Sequence, residues 1–162
     1  MTDPGVTHLR PFFPTAADFS AATSPHFGFL VDELGFTGPL TVGDSDEAFD
    51  VRFDGPKVSV LLSWEVEGGF FACQIIPRNK DGELEQDYER WLSPTEILAA
   101  RGKLDDATTQ ADLDDVDEAG YARVMKRAAA NMRRHCADVL KGDWSIYSAA
   151  HRWLEKRSRA GV

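Results

Sequence analysis

Residues 47–78 read EAFDVRFDGPKVSVLLSWEVEGGFFACQIIPR, and no other stretch constrains the fold as tightly. Phe49, Val51 and Phe53 alternate with Asp50 and Arg52, the period of a strand with one buried face. Val58, Val60 and Leu62 repeat that period, and the run from Phe70 to Arg78 is dense in apolar and β-branched residues. Asp54–Gly55–Pro56 and Gly68–Gly69 punctuate these runs as turns, which predicts an antiparallel meander. LTVGD at 40–44 is a candidate for a further strand, and RNKDGE at 78–83 supplies a turn to a short acidic edge strand through Tyr88. The expected sheet has three to four strands.

Helices are expected on both sides of it. Residues 1–14, with Pro4, Pro11 and Pro14, read as extended. PTAADFSAAT then offers a short helix with Thr15 as cap and Asp18 in its first turn. SPHFGFLVDELGF has Ser24 as N-cap, Pro25 at the first helical position and Gly35 as the stop. After the strands, SPTEILAARG places Ser93 as cap, Pro94 next, Glu96 three after the cap and Gly102 at the end. A long helix is expected over 117–140, with an apolar stripe that includes Tyr121, Met125, Met132, Cys136 and Val139. Asp143 then caps a last helix carrying Ile146, Tyr147, Ala150 and Leu154. The sum is a single α+β domain over 1–162, its meander packed in layers against N-terminal and C-terminal helices.

No run is long and apolar enough to span a bilayer, and the first residues lack the basic-then-apolar order of a secretion signal, so a cytoplasmic home is expected. Cys73 and Cys136 stand in no paired motif and are expected to behave as small apolar residues. His8, His26, His135 and His151 form no zinc spacing. A calcium loop starting at Asp112 would put Val116 at position 5, Asp117 at 6 and Arg123 at 12, which fails the pattern. Neither a nucleophile elbow, a phosphate-binding glycine loop nor a dinucleotide fingerprint occurs. No catalytic residue, cofactor or metal site is expected.

Charge is the remaining signal. Residues 1–118 carry 24 acids and 8 bases, a net of −16, whereas residues 119–162 carry 3 acids and 10 bases, a net of +7. The acids form two blocks: Asp81, Glu83, Glu85, Asp87 and Glu89, and then Asp105, Asp106, Asp112, Asp114, Asp115, Asp117 and Glu118. Such surfaces steer a basic protein partner and repel nucleic acid and anionic membranes. Trp91 follows the first block and is a candidate aromatic anchor, with a core residue beneath the helix at 94 as the competing role. The second block equally suits a helix entrance, since acids favour the N-terminal end of the dipole. Its position against Arg123–Arg134 decides whether those charges are spent internally.

FGFLVDELGF leading into FDVRFDGPKVSVLLSW, with ADVLKGDWSIY near the end, resembles in layout the small acidic immunity proteins of bacterial polymorphic toxin systems. The resemblance implies a cytoplasmic, non-enzymatic inhibitor, an antitoxin that masks the active surface of a basic toxin or enzyme, and it carries over no individual residue. The alternative is a small regulatory or nucleic-acid-associated protein using the basic C-terminal helices. If the second acidic block is the docking surface, charge reversal across Asp105, Asp106, Asp112, Asp114 and Asp115 should slow association with the basic partner. An unchanged stopped-flow on-rate would remove that surface.

Overall fold

The alternating run forms the sheet. In a computed structural model that describes residues 13–66, 69–107 and 118–161, β1 (Thr37–Asp44), β2 (Ala48–Asp54), β3 (Val58–Glu65) and β4 (Phe70–Pro77) pair antiparallel in chain order. LTVGD is thus the body of a strand that starts at Thr37. The alternation separates two faces: Phe49, Val51, Phe53, Val60, Leu62 and Trp64 are buried beneath the helices, while Asp50, Arg52, Asp54, Ser63 and Gln74 turn the other way. On that second face Asp54 accepts from Arg52 Nε at 2.7 Å and from Ser59 at 2.7 Å, with Arg78 at 3.2 Å. Burial pushes the Asp54 carboxyl up, but these donors and the two guanidinium charges outweigh it and leave it below the usual carboxylate range.

The acidic edge strand expected after the turn at 78–83 does not form. Among the described residues, 78–92 form no ladder with the sheet: Arg78 with Leu84 and Ile75 with Leu92 are isolated bridges, and the Glu85 N–H bonds the Pro77 carbonyl at 2.9 Å. The cause is competition for backbone donors. Asn79 Oδ1 takes the N–H groups of Asp81 and Glu83, Glu85 takes that of Asp87, and Asp87 takes that of Glu89, so local side-chain oxygens replace a ladder. A short 3-10 turn, Tyr88–Arg90, ends the segment.

Helix α1 (Ala16–Thr23) starts as expected, with Thr15 Oγ1 accepting from the Asp18 N–H at 3.1 Å. Ser24 is not a new N-cap: its own N–H bonds back to the Ser20 carbonyl, so the chain runs from α1 into a 3-10 turn (Ser24–Phe27) and then α2 (Phe29–Asp32). Gly35, at φ +70°, stops it, and the Phe36 N–H returns to the Leu30 carbonyl at 2.9 Å. The expected cap at Ser93 holds for α3 (Pro94–Ala100), its hydroxyl accepting from the Glu96 N–H at 3.2 Å.

The helix expected over 117–140 is two helices, α4 (Glu118–His135) and α5 (Ala137–Leu140). At Cys136 the backbone leaves helical geometry, with φ −117° and ψ 12°. Arg101, just past α3, explains the break: its guanidinium donates to the His135 carbonyl and to the Asp138 carboxylate, taking an acceptor that a continuous helix would give to the Val139 N–H. The last helix, α6 (Tyr147–Arg159), is not capped by Asp143, whose carboxylate accepts from the Ser145 N–H at 3.0 Å in a turn before the helix. Ala150 is buried as expected, but Leu154 is 40% exposed and belongs to no core.

One aromatic cluster joins the layers. Trp64 of β3 meets Phe13 at 5.2 Å and Tyr121 of α4 at 5.3 Å, and Phe13 meets Phe19 of α1 at 5.3 Å and Tyr121 at 5.0 Å. Phe13, which lies in the stretch read as extended, is therefore a core residue, 6% exposed; residues 1–12 lie outside the described residues. Among the described residues no helix is long and apolar enough to cross a membrane. Phe13→Ala should destabilise the fold by about 3 kcal/mol in urea unfolding, in the range for a buried aromatic. A loss under about 0.5 kcal/mol, the size of an ordinary surface effect, would show that Phe13 is not an anchor.

Candidate binding groove

The polar face of the sheet is the floor of a groove of about 680 Å³. Asp50, Leu61, Ser63 and Gln74 rise from the strands, Tyr88, Glu89 and Trp91 form one wall, and Glu96 of α3 with His151, Leu154, Glu155 and Ser158 of α6 form the other. Strand period makes this possible, because the residues that alternate with the core supply the floor. The two walls are tied together: the Tyr147 hydroxyl of α6 donates to the Glu89 carbonyl at 2.8 Å.

Trp91 is set by its own segment. Its Nε1 donates to the Glu85 carbonyl at 2.8 Å, and its ring meets Tyr88 edge-to-face at 4.5 Å. Trp91 is half-buried and lines the groove, whereas Tyr88 is 74% exposed, an unusual position for so large a ring. Four carboxylates, Asp50, Glu89, Glu96 and Glu155, line the same groove, and among the described residues no lysine or arginine does. Asp50 already accepts from the Ser63 hydroxyl. His151 stacks on Tyr147 at 5.4 Å, and its Nε2 is 3.5 Å from Glu155. Burial raises the Glu96 carboxyl above the usual range, against the Ser93 hydrogen bonds and the charge of His151.

The two acidic blocks part company in the fold. Asp81 and Glu83 lie exposed on the loop that leads to the groove wall, and Glu85 and Asp87 brace that wall and stand 3.9 Å from Arg90. Asp105 and Asp106 sit in a 3-10 turn (Leu104–Asp106) against α4, and neither lines the groove. It is their carbonyls that α4 grips: Arg127 donates to Asp105 O at 3.3 Å and Asn131 to Asp106 O at 2.6 Å, with His135 Nε2 3.7 Å from the Asp106 carboxylate. Asp112, Asp114 and Asp115 lie outside the described residues. The basic helices spend charge internally as well, since Arg133 pairs with Glu33 and Arg157 lies 5.4 Å over the Trp153 ring.

Tyr88, Glu96 and Glu155 were not singled out by their sequence pattern. Only the His151–Glu155 spacing of four on one helix hinted that α6 carries a polar cluster. The cysteines are free thiols; burial pushes Cys73 well up, and Cys136 is pushed up to about 12, chiefly by burial, which keeps both protonated at neutral pH. Among the described residues no group of three His, Cys, Asp or Glu side chains could hold a metal ion. Comparison with protein-family models, curated proteins and solved structures finds no match to this chain.

Because the fold raises the Glu96 pKa, the stability it contributes is present below about pH 4.3 and lost as the pH rises through the raised value. Glu96→Gln should therefore match the parent near pH 3 and melt at a higher temperature at pH 7. A variant less stable than the parent at pH 7 would reverse the assigned direction.

Proposed function

We propose that the protein is a non-enzymatic binding domain that docks on a basic protein partner, as an immunity-type inhibitor masks a toxin or enzyme. The observation that carries this is the pairing, in one groove, of an aromatic wall, exposed Tyr88 beside half-buried Trp91, with four carboxylates and, among the described residues, no lysine or arginine. Arginine and lysine side chains are attracted to aromatic faces and make charge-assisted hydrogen bonds to carboxylates, so the groove suits a cationic side chain chemically. Asp81, Glu83 and Asp87 add negative potential along the approach, which raises the encounter rate with a basic surface. Asp105 and Asp106, by contrast, hold the turn before α4 on the helix through their carbonyls.

The alternative, a nucleic-acid role for the basic helices, loses support from Trp153, which Arg157 of the same helix covers. A salt titration of RNA and DNA binding separates the two, since phosphate contacts give a steep slope. The direct test uses the product of the reading frame adjacent to this protein's own gene. Charge reversal at Asp81, Glu83 and Asp87 should slow association, and Trp91→Ala should raise the off-rate about tenfold or more, as for a hot-spot aromatic. Reversal at Asp105 and Asp106 should leave both rates within about twofold, as for charges remote from an interface. A complex whose rates ignore Trp91 and the 81–87 charges would sink the groove as the docking site.

A further inference from the structure

The two edges of the sheet are not alike. Along β1 the pairing slips between Thr37 and Leu40 and again between Thr41 and Gly43, and Pro39 has no N–H to offer, devices that blunt an edge. β4 pairs with β3 in unbroken register from Val58–Pro77 to Glu65–Phe70. In such a ladder, alternate residues point their N–H and C=O groups away from the partner strand. On β4 these are the odd-numbered residues. The Pro77 carbonyl accepts from the Glu85 N–H at 2.9 Å, and Ile75 exchanges bonds of 2.7 and 3.1 Å with Leu92. Ser93 and Pro94 then turn the chain into α3, so the pairing stops. Cys73 and Phe71 come next, and among the described residues nothing pairs with their outward backbone groups.

Those groups open on a cleft of about 340 Å³ between β4 and helices α3, α4 and α6, walled by Phe70, Leu98, Val124, Trp153 and Leu154. Phe70 and Leu154, 44% and 40% exposed, both lie on it. Gln74, Glu96 and Leu154 line this cleft and the acidic groove alike, so the two are continuous.

We propose, on the footing that the protein binds a basic partner, that an extended segment of that partner adds to the sheet at β4 and exchanges backbone hydrogen bonds with Cys73 and Phe71. Two outward N–H and C=O pairs spaced two residues apart match an extended strand, and Leu92 already makes that pairing one step along the edge. Alternate side chains of the added strand face opposite ways. Those opposite Cys73 and Phe71 turn toward Val124 and Ala128 of α4, which selects apolar residues. Those between them turn toward the polar face, where Glu96, which lines both the cleft and the groove, favours arginine or lysine; Arg157, which also lines the cleft, is held over the Trp153 ring. The occupant is thus a segment that alternates apolar and basic residues.

The test is amide exchange by NMR on the full chain with the peptide acetyl-Val-Arg-Val-Arg-Val-amide. Saturating peptide should slow exchange at Phe71 and Cys73 by about tenfold or more, and N-methylation of alternate peptide nitrogens should weaken binding about tenfold, the value of one or two backbone hydrogen bonds. Binding that shifts the Trp91 indole but leaves both amides unprotected would overturn strand addition and spare the basic-partner proposal. Equal binding and protection with acetyl-Val-Ser-Val-Ser-Val-amide would keep the strand and overturn the basic partner. Amides already protected in the free protein, or protected only as protein concentration rises, would mean that the chain itself or a second copy covers the edge, and would overturn the proposal. No binding of either peptide would overturn it too.

Discussion

The fold depends on the burial of Trp64. This one ring, 1% exposed, touches Phe13 and Tyr121 at close to 5 Å and Phe19 at 6.5 Å, so a single side chain on β3 fastens the N-terminal helix and α4 to the same face of the sheet. Aromatic rings bury large areas and favour edge-to-face contact, which sets the relative placement of the layers as well as their stability. Burial also drives the Tyr121 phenol well above its ordinary range, so it stays neutral within the cluster. With that face committed to the helices, the opposite face of the same strands carries the polar residues Asp50, Arg52, Asp54, Ser63 and Gln74, with Leu61 and Ile76 among them.

The groove follows from that division. On the second face of the sheet Ser59 and Ile76 are buried, while α6 and the 81–91 segment flank the part that carries Asp50, Ser63 and Gln74. The Tyr147–Glu89 hydrogen bond sets the spacing of the walls, and the Glu85 carbonyl sets the Trp91 ring. Some charges elsewhere are answered within the chain: Arg52 and Arg78 on Asp54, Arg101 on Asp138, Arg133 on Glu33. Asp50, Glu89, Glu96 and Glu155 line the groove and Asp81, Glu83 and Asp87 lie on its approach, whereas Asp105 and Asp106 lie away from it, so the proposal of a basic partner rests on the former.

Short-range signals predicted the local structure well where one residue decides the outcome. Thr15 and Ser93 cap because a hydroxyl three residues before an open N–H has few other partners, and Gly35 ends its helix because a left-handed residue there suits glycine. They failed where a remote group competed. The break at Cys136 depends on Arg101, 34 residues before the His135 carbonyl that it takes, and the burial of Phe13 depends on Trp64 and Tyr121. The acidic segment looked like a strand until Asn79, Glu85 and Asp87 claimed its backbone donors.

By itself the sequence determined the period-2 meander, its turns, the helices on either side and the uneven charge, because each of these follows from neighbours within a few residues. Tertiary structure alone decided that Trp91 stands in a groove wall, that Glu96, His151 and Glu155 face Asp50 across the sheet, and that Asp105 and Asp106 turn their carbonyls to α4. The physical reason is the range of the interactions. Strand alternation and capping are fixed by covalent geometry, whereas a groove is made by the relative placement of elements that are joined only through the core.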